Sequence, residues 1–157
     1  MQTVRQPAVA GRFYPGRAHE LQASVDGLLA DARTQVTPSP ECPKALIVPH
    51  AGYVYSGPTG ARGYALLEPF ASSIRRVVLL GPAHHVWFAG LALPDDDAFA
   101  TALGEVPIER TVADRLSALP GVIHSDAAHA PEHSLEVQLP FLQRVLDEFT
   151  LVPLVVG

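Results

Sequence analysis

Residues 18–33 place Leu21, Val25, Leu28 and Leu29 on one stripe at helical spacing, with Asp26 and Asp31 off it, which predicts an amphipathic surface helix. The following TPSPECP (37–43) cannot continue a helix, because its three prolines restrict φ and remove donors. KALIV (44–48) is then a short apolar run between Pro43 and Pro49, the pattern of a strand buried on both faces. Ser56-Gly57-Pro58 reads as a helix start, with a Ser cap and a proline in the first turn, running through Tyr64, Leu66 and Leu67 until Pro69 stops it. VVLL (77–80) is a second buried strand, closed by Gly81-Pro82.

Further along, 90–93 and 104–108 read as short strands, and Val112, Leu116 and Leu119 mark a modest helix. A helix is expected over 132–146, with Leu135, Leu139, Leu142 and Leu146 on one face and a kink or break at Pro140. Residues 150–156 form a final buried strand.

Strand, helix and strand in succession imply a right-handed crossover between parallel strands. The expected class is α/β, a mostly parallel or mixed sheet with helices on both faces, as one domain over residues 1–157. The two strand ends then share an edge of the sheet, and open α/β sheets bind ligands at that edge. His50 follows the first of those strands, and His84 and His85 follow the second.

Composition narrows the function classes. With 157 residues and 48% hydrophobic content, the chain can bury a substantial core. Its net charge is −5 and its 11 Lys and Arg are scattered, so nucleic acid is not an expected partner. No apolar run approaches membrane-spanning length and residues 1–15 lack a signal-peptide pattern, so a cytoplasmic location without a membrane partner is expected. Cys42 is the single cysteine, which excludes an internal disulfide and a Cys-rich zinc module; only Lys44 lies near it, and it reads as a spectator.

Three clusters carry the chemistry. PHAGY (49–53) sets an imidazole beside a glycine that permits close backbone approach, with Tyr53 offering a hydroxyl. Alone, His50 would read as a histidine bonded to a carbonyl at a strand end; a matching second histidine weakens that reading. GPAHH (81–85) supplies it. Adjacent residues of an extended chain point opposite ways, so one of the pair at most ligates. That role goes to His84, and His85 takes a supporting or substrate role, with plain exposure as its alternative. The third cluster, HAPEHSLE (129–136), brings Glu132 and Glu136 four apart, on one face of a helix. Two histidines and a carboxylate with open positions form the facial arrangement of non-haem iron, which Glu132 would complete. His133 is suited to moving protons, with helix capping as the alternative. Asp95-Asp96-Asp97 reads as a solvated loop, with attraction of a cation as the alternative.

Taken together, RQPAVAGRFYP (5–15), ALIVPHAGYVYSGP (45–58), VVLLGPAHH (77–85) and EHSLEVQLPFLQ (132–143) resemble the Memo-like family, called AmmeMemoRadiSam system protein B in bacteria. The resemblance spans essentially the whole chain in matching order. It implies a fold like that of the class III extradiol ring-cleavage dioxygenases, whose non-haem iron sits at a sheet edge. By motif it implies His50 and His84 as metal ligands, with Phe13 and Tyr14 lining the pocket. Iron is the implied metal, with copper or zinc as alternatives. A dioxygenase-like redox enzyme acting on a small oxygen-bearing substrate is expected. The alternative is a non-catalytic module that binds metal or peptide for a radical-SAM system partner. The sequence departs from the family pattern at Ala83, where a serine is common, and at Ala102, where a proline is usual. It also ends before a segment resembling SSDFxH and a later cysteine, so the chain is expected to be the N-terminal part of a longer domain.

Overall fold

The stripe at 18–33 forms helix α1 (Ala18–Arg33), burying Leu21, Val25, Leu29 and Ala32, in the computed structural model, which describes residues 2–157. Helices α2 (Tyr53–Ala65) and α5 (Leu139–Val145) pack against it and against each other. Their shared core includes Tyr53, Tyr64, Leu139 and Phe141, and the rings of Tyr64 and Phe141 stack at 5.2 Å.

Two mixed sheets complete the α/β architecture. In one, β1 (Val4–Arg5) runs parallel to β4 (Ala98–Thr101), which pairs antiparallel with β5 (Gly104–Pro107). The other sheet has β2 (Arg76–Pro82) at one edge, then β7 (Thr150–Val156), β3 (Leu91–Leu93) and β6 (Val122–His124). There β7 is parallel to β2 but antiparallel to β3. Side chains alternate along β7: Leu154 joins the core under α1, α2 and α5, whereas Val155 joins Ala92, Ala128 and Leu135. Ala128 comes from α4 (Asp126–His129), and a further helix, α3 (Arg110–Ser117), packs on β6 and β7. Both faces of the sheet are therefore covered at β7.

Several expectations are corrected. Residues 44–48 join no strand; Leu46 and Val48 turn to the core while Ile47 is fully exposed. The run is covered on one side only, and it takes no place in a ladder. Helix α2 starts at Tyr53 rather than Ser56, whose hydroxyl donates to the Ala51 carbonyl at 2.7 Å, and Pro58 falls inside the helix. In place of one kinked helix over 132–146 there are a 3₁₀ turn at Glu136–Gln138 and the shorter α5. Pro140 lies in the first turn of α5, where its missing N–H costs no helical bond. Strands β1, β4 and β6 lie outside the expected elements.

A buried ionic knot ties the chain's beginning to the 129–136 segment. Arg5, 4% exposed, pairs with Glu136, 0% exposed, and also donates to the carbonyls of His129, Ala130 and Glu132. The Glu136 carboxylate further accepts from the backbone N–H groups of Ala8 (2.7 Å) and Val9 (3.0 Å) and from the Tyr14 hydroxyl (2.6 Å). Burial and this bond to a carboxylate raise the Tyr14 pKa well above its ordinary value.

His129 lies beside the knot, 1% exposed, with Nε2 bonded to the Ala92 carbonyl at 2.8 Å and Nδ1 without a partner. Burial pushes its pKa down to about 4, against the opposing pull of the Ala92 bond. The unfolded chain therefore takes up this proton first as pH falls, so the contribution of neutral His129 is complete above pH ~6.5 and disappears toward pH ~4. We expect urea-unfolding stability to drop by up to about 3 kcal/mol across that window. In His129→Asn, which lacks the titrating ring, the slope there should be shallower; an unchanged slope would refute the assignment.

Candidate metal centre

Four segments meet at the carboxyl end of β2, and each is held by contacts that can be named. The turn at Val9–Tyr14 is closed by the Val9 carbonyl, which accepts from the N–H groups of Arg12 and Phe13, and by Gly11 N–H donating to Tyr14. Gly11 has φ +78°, a left-handed conformation that suits glycine. Next, the Phe13 carbonyl accepts from Tyr53 N–H at 2.8 Å, which docks PHAGY onto the turn. Pro49 is fixed through its carbonyl by Gln138 Nε2 at 3.1 Å, and Gln138 Oε1 in turn accepts from the Tyr64 hydroxyl. Finally, the Ser134 hydroxyl donates to the Pro82 carbonyl at 3.0 Å, bringing HAPEHSLE against the end of β2. A Cβ at Gly81 would lie 2.6 Å from that hydroxyl oxygen, so glycine is required for the approach.

The outcome is a cluster of imidazoles. His50 and His84 have ring centroids 5.2 Å apart, His84 and His133 stack at 4.5 Å, and His50 and His133 lie 5.9 Å apart. One ring nitrogen from each of the three falls within 4.8 Å of the others. Nitrogens held about 2.0–2.1 Å from one tetrahedral ion lie about 3.4 Å apart, so modest side-chain rotation brings this set to binding distance. The donor set, three imidazoles, suits zinc, iron or copper.

Glu132 stands behind the histidines rather than among them. Its Oε1 lies 2.8 Å from His84 Nδ1 and 3.4 Å from His133 Nδ1, and it accepts from the N–H groups of His133 and Ser134, each at 2.9 Å. Its Oε2 accepts from His84 N–H at 2.7 Å. Burial alone would raise the Glu132 pKa, but the bonds from His84 and from the Ser134 and His84 backbone outweigh it and hold the carboxyl down to about 2. A carboxylate that fixes Nδ1 as a donor leaves Nε2 as the free ligand atom of His84. Burial also lowers the His133 pKa, reinforced by the neighbouring histidines and opposed by Glu132, so this ring is neutral near pH 7 with a lone pair to offer.

The other expected site residues divide. Phe13 packs its ring 4.7 Å from His133 and lines the cavity beside it. His85 is exposed, with its ring edge-on to His133 at 6.2 Å. Tyr14 and Tyr53 do not line that cavity: Tyr14 spends its hydroxyl on Glu136, and Tyr53 donates to the Val137 carbonyl at 2.8 Å inside the core. Both rings are 6% exposed or less, because they fill the space between α2 and the Arg5–Glu136 knot. Asp97 accepts from Thr3 and Arg110, and Cys42 is exposed away from the site. No described helix is long and apolar enough to cross a membrane.

The chain is similar to known proteins over nearly all of its length. The sequence model of the family described as "Memo-like protein" matches residues 5–157. The chain is 41% identical to a "MEMO1 family protein" of Aquifex aeolicus over 155 residues, covering 98% of this chain and 55% of that one. It is 40% identical to a protein of the same description from Archaeoglobus fulgidus, covering 98% and 54%. With "Protein MEMO1" of Xenopus laevis the identity is 35%, covering 98% and 51%. The chain thus spans about half the length of the relatives it matches.

Proposed function

Because the chain belongs to the Memo-like protein family, we propose that it is a metal-binding protein in which His50, His84 and His133 hold one divalent ion. The observation that carries this reading is the convergence of three imidazole nitrogens within 4.8 Å, with a buried carboxylate behind two of them. Three neutral ligands leave coordination positions open, and a non-haem iron there would supply Lewis-acid and redox chemistry to an oxygen-bearing ligand. Iron is the first choice, with copper and zinc as alternatives, and a dioxygenase-type oxidoreductase is the corresponding activity.

Within this scheme the protein's own groups have distinct tasks. Glu132 orients His84 and keeps its Nδ1 protonated. Phe13 shields one side of His133 from water. His85, exposed at the rim, is placed to exchange protons with solvent near a bound ligand.

Anaerobic dialysis against iron(II), and separately against zinc(II) and copper(II), tests the reading through metal retained per chain. One equivalent is expected. Glu132→Gln preserves shape but removes the charge that orients His84, and should weaken the retained metal about 10–100-fold. Wild-type affinity in that variant would show that Glu132 has no supporting role. Oxygen uptake by the iron-loaded protein then separates a redox enzyme from a binder. The binder reading, with a partner protein of a radical-SAM system or a peptide as its recipient, draws support from Trp87, which is 93% exposed three residues beyond His84.

A further inference from the structure

A cavity of about 600 Å³ opens beside the histidines, walled by Phe13, Pro49 and Tyr55, with His50, His133 and Arg12 also in its lining. Its size is that of a small-molecule site. The balance of charge around it is one-sided. No carboxylate lines it, and the first turn of α2, which forms part of the wall, carries no acidic residue. Arg12 donates through Nη2 to the Ala8 carbonyl at 2.9 Å and makes no ion pair among the described residues. The nearby carboxylates are already committed, Glu132 to His84 and to backbone N–H groups, and Glu136 to Arg5, Tyr14 and backbone. A divalent ion on the neutral imidazoles would add positive charge beside the same space, which His50 and His133 help to line.

We propose that this cavity binds a small monoanionic carboxylate with an apolar body. Its carboxylate pairs with the Arg12 guanidinium, where an ion held by the histidines would add a second partner, and its body lies against Phe13 and Tyr55. One guanidinium matches a single carboxylate, since Arg presents a fork of donors to its two oxygens. A polyanion would need further cationic partners, and Arg12 is the one Arg or Lys in the lining. This inference rests on the metal reading above, and it names the ligand class that reading leaves open.

Cobalt(II), whose visible spectrum reports its coordination, serves as the probe metal, and benzoate as the probe ligand. Benzoate should change the cobalt spectrum saturably, with benzyl alcohol and inorganic phosphate binding much more weakly. Arg12→Ala should weaken benzoate about 10-fold, in keeping with loss of one charge-assisted contact, while cobalt content stays at one equivalent. Equal benzoate affinity in Arg12→Ala, or equal binding of phosphate or benzyl alcohol, would overturn the proposal. Cobalt uptake without any benzoate response removes this inference alone; absence of cobalt uptake removes the metal reading and this one with it.

Discussion

Glu136→Ala is expected to destabilise the protein by about 3–5 kcal/mol, the cost of leaving a buried charge without its partner. Arg5 has no alternative acid within the knot: its remaining hydrogen-bond acceptors are the carbonyls of His129, Ala130 and Glu132. The same substitution leaves the Ala8 and Val9 N–H groups and the Tyr14 hydroxyl without their acceptor. Tyr14→Phe serves as the comparison. It removes one contact while Glu136 keeps Arg5 and both backbone donors, so its cost should be about 1–2 kcal/mol. Urea denaturation of the two variants measures the difference. Similar values for both would mean that the Arg5 pair adds little beyond the tyrosine bond.

Loss of His133 should be as damaging to metal retention as loss of His50 or His84. Each ligand of a site worth about 10 kcal/mol or more carries a substantial share, so each alanine variant should lower affinity about 100-fold or more. The arrangement of Glu132 sharpens the contrast. A first ligand and a residue that orients one differ in what substitution leaves behind: Glu132→Gln retains three imidazoles, whereas His133→Ala leaves two. His133→Ala should therefore fall below Glu132→Gln in a metal titration. The reverse order would place the carboxylate on the ion and the imidazole behind it. Circular dichroism of each variant, and urea midpoints close to wild type, separate ligand loss from unfolding.

The neighbourhood of His50 and His84 was legible because both follow apolar runs that end in proline-bounded turns, and the rings do meet at 5.2 Å. The route differs from the expected one. Residues 44–48 take no place in the sheet, and His50 is positioned by the Gln138 bond to Pro49 and by the docking of Tyr53 N–H onto Phe13. Local patterning predicted extended chain there, but hydrogen-bond partners in a sheet are a tertiary matter. The Arg5–Glu136 knot left no local trace, since its two members lie 131 positions apart. A lone Arg near the start of a chain and a Glu in a polar stretch look like solvated charges.

The tyrosines illustrate a second limit. Tyr14 and Tyr53 stand in motifs beside the site, yet each hydroxyl finds a buried acceptor instead of the cavity. Sequence position places a residue near a site, but the direction of its side chain is decided by which acceptors the packed core leaves open. The same holds for Glu132, one residue from His133 in sequence. Its carboxylate is drawn inward by four donors, including three backbone N–H groups that only the folded turn brings together.

X-ray absorption of the protein loaded with one equivalent of iron(II) tests the central claim most directly, because it counts imidazoles around the metal without reference to activity. Three imidazole ligands are expected in wild type, and two in His133→Ala when metal is supplied in excess. A wild-type coordination shell with one imidazole or none, or a shell unchanged in His133→Ala, would contradict a metal centre built on His50, His84 and His133.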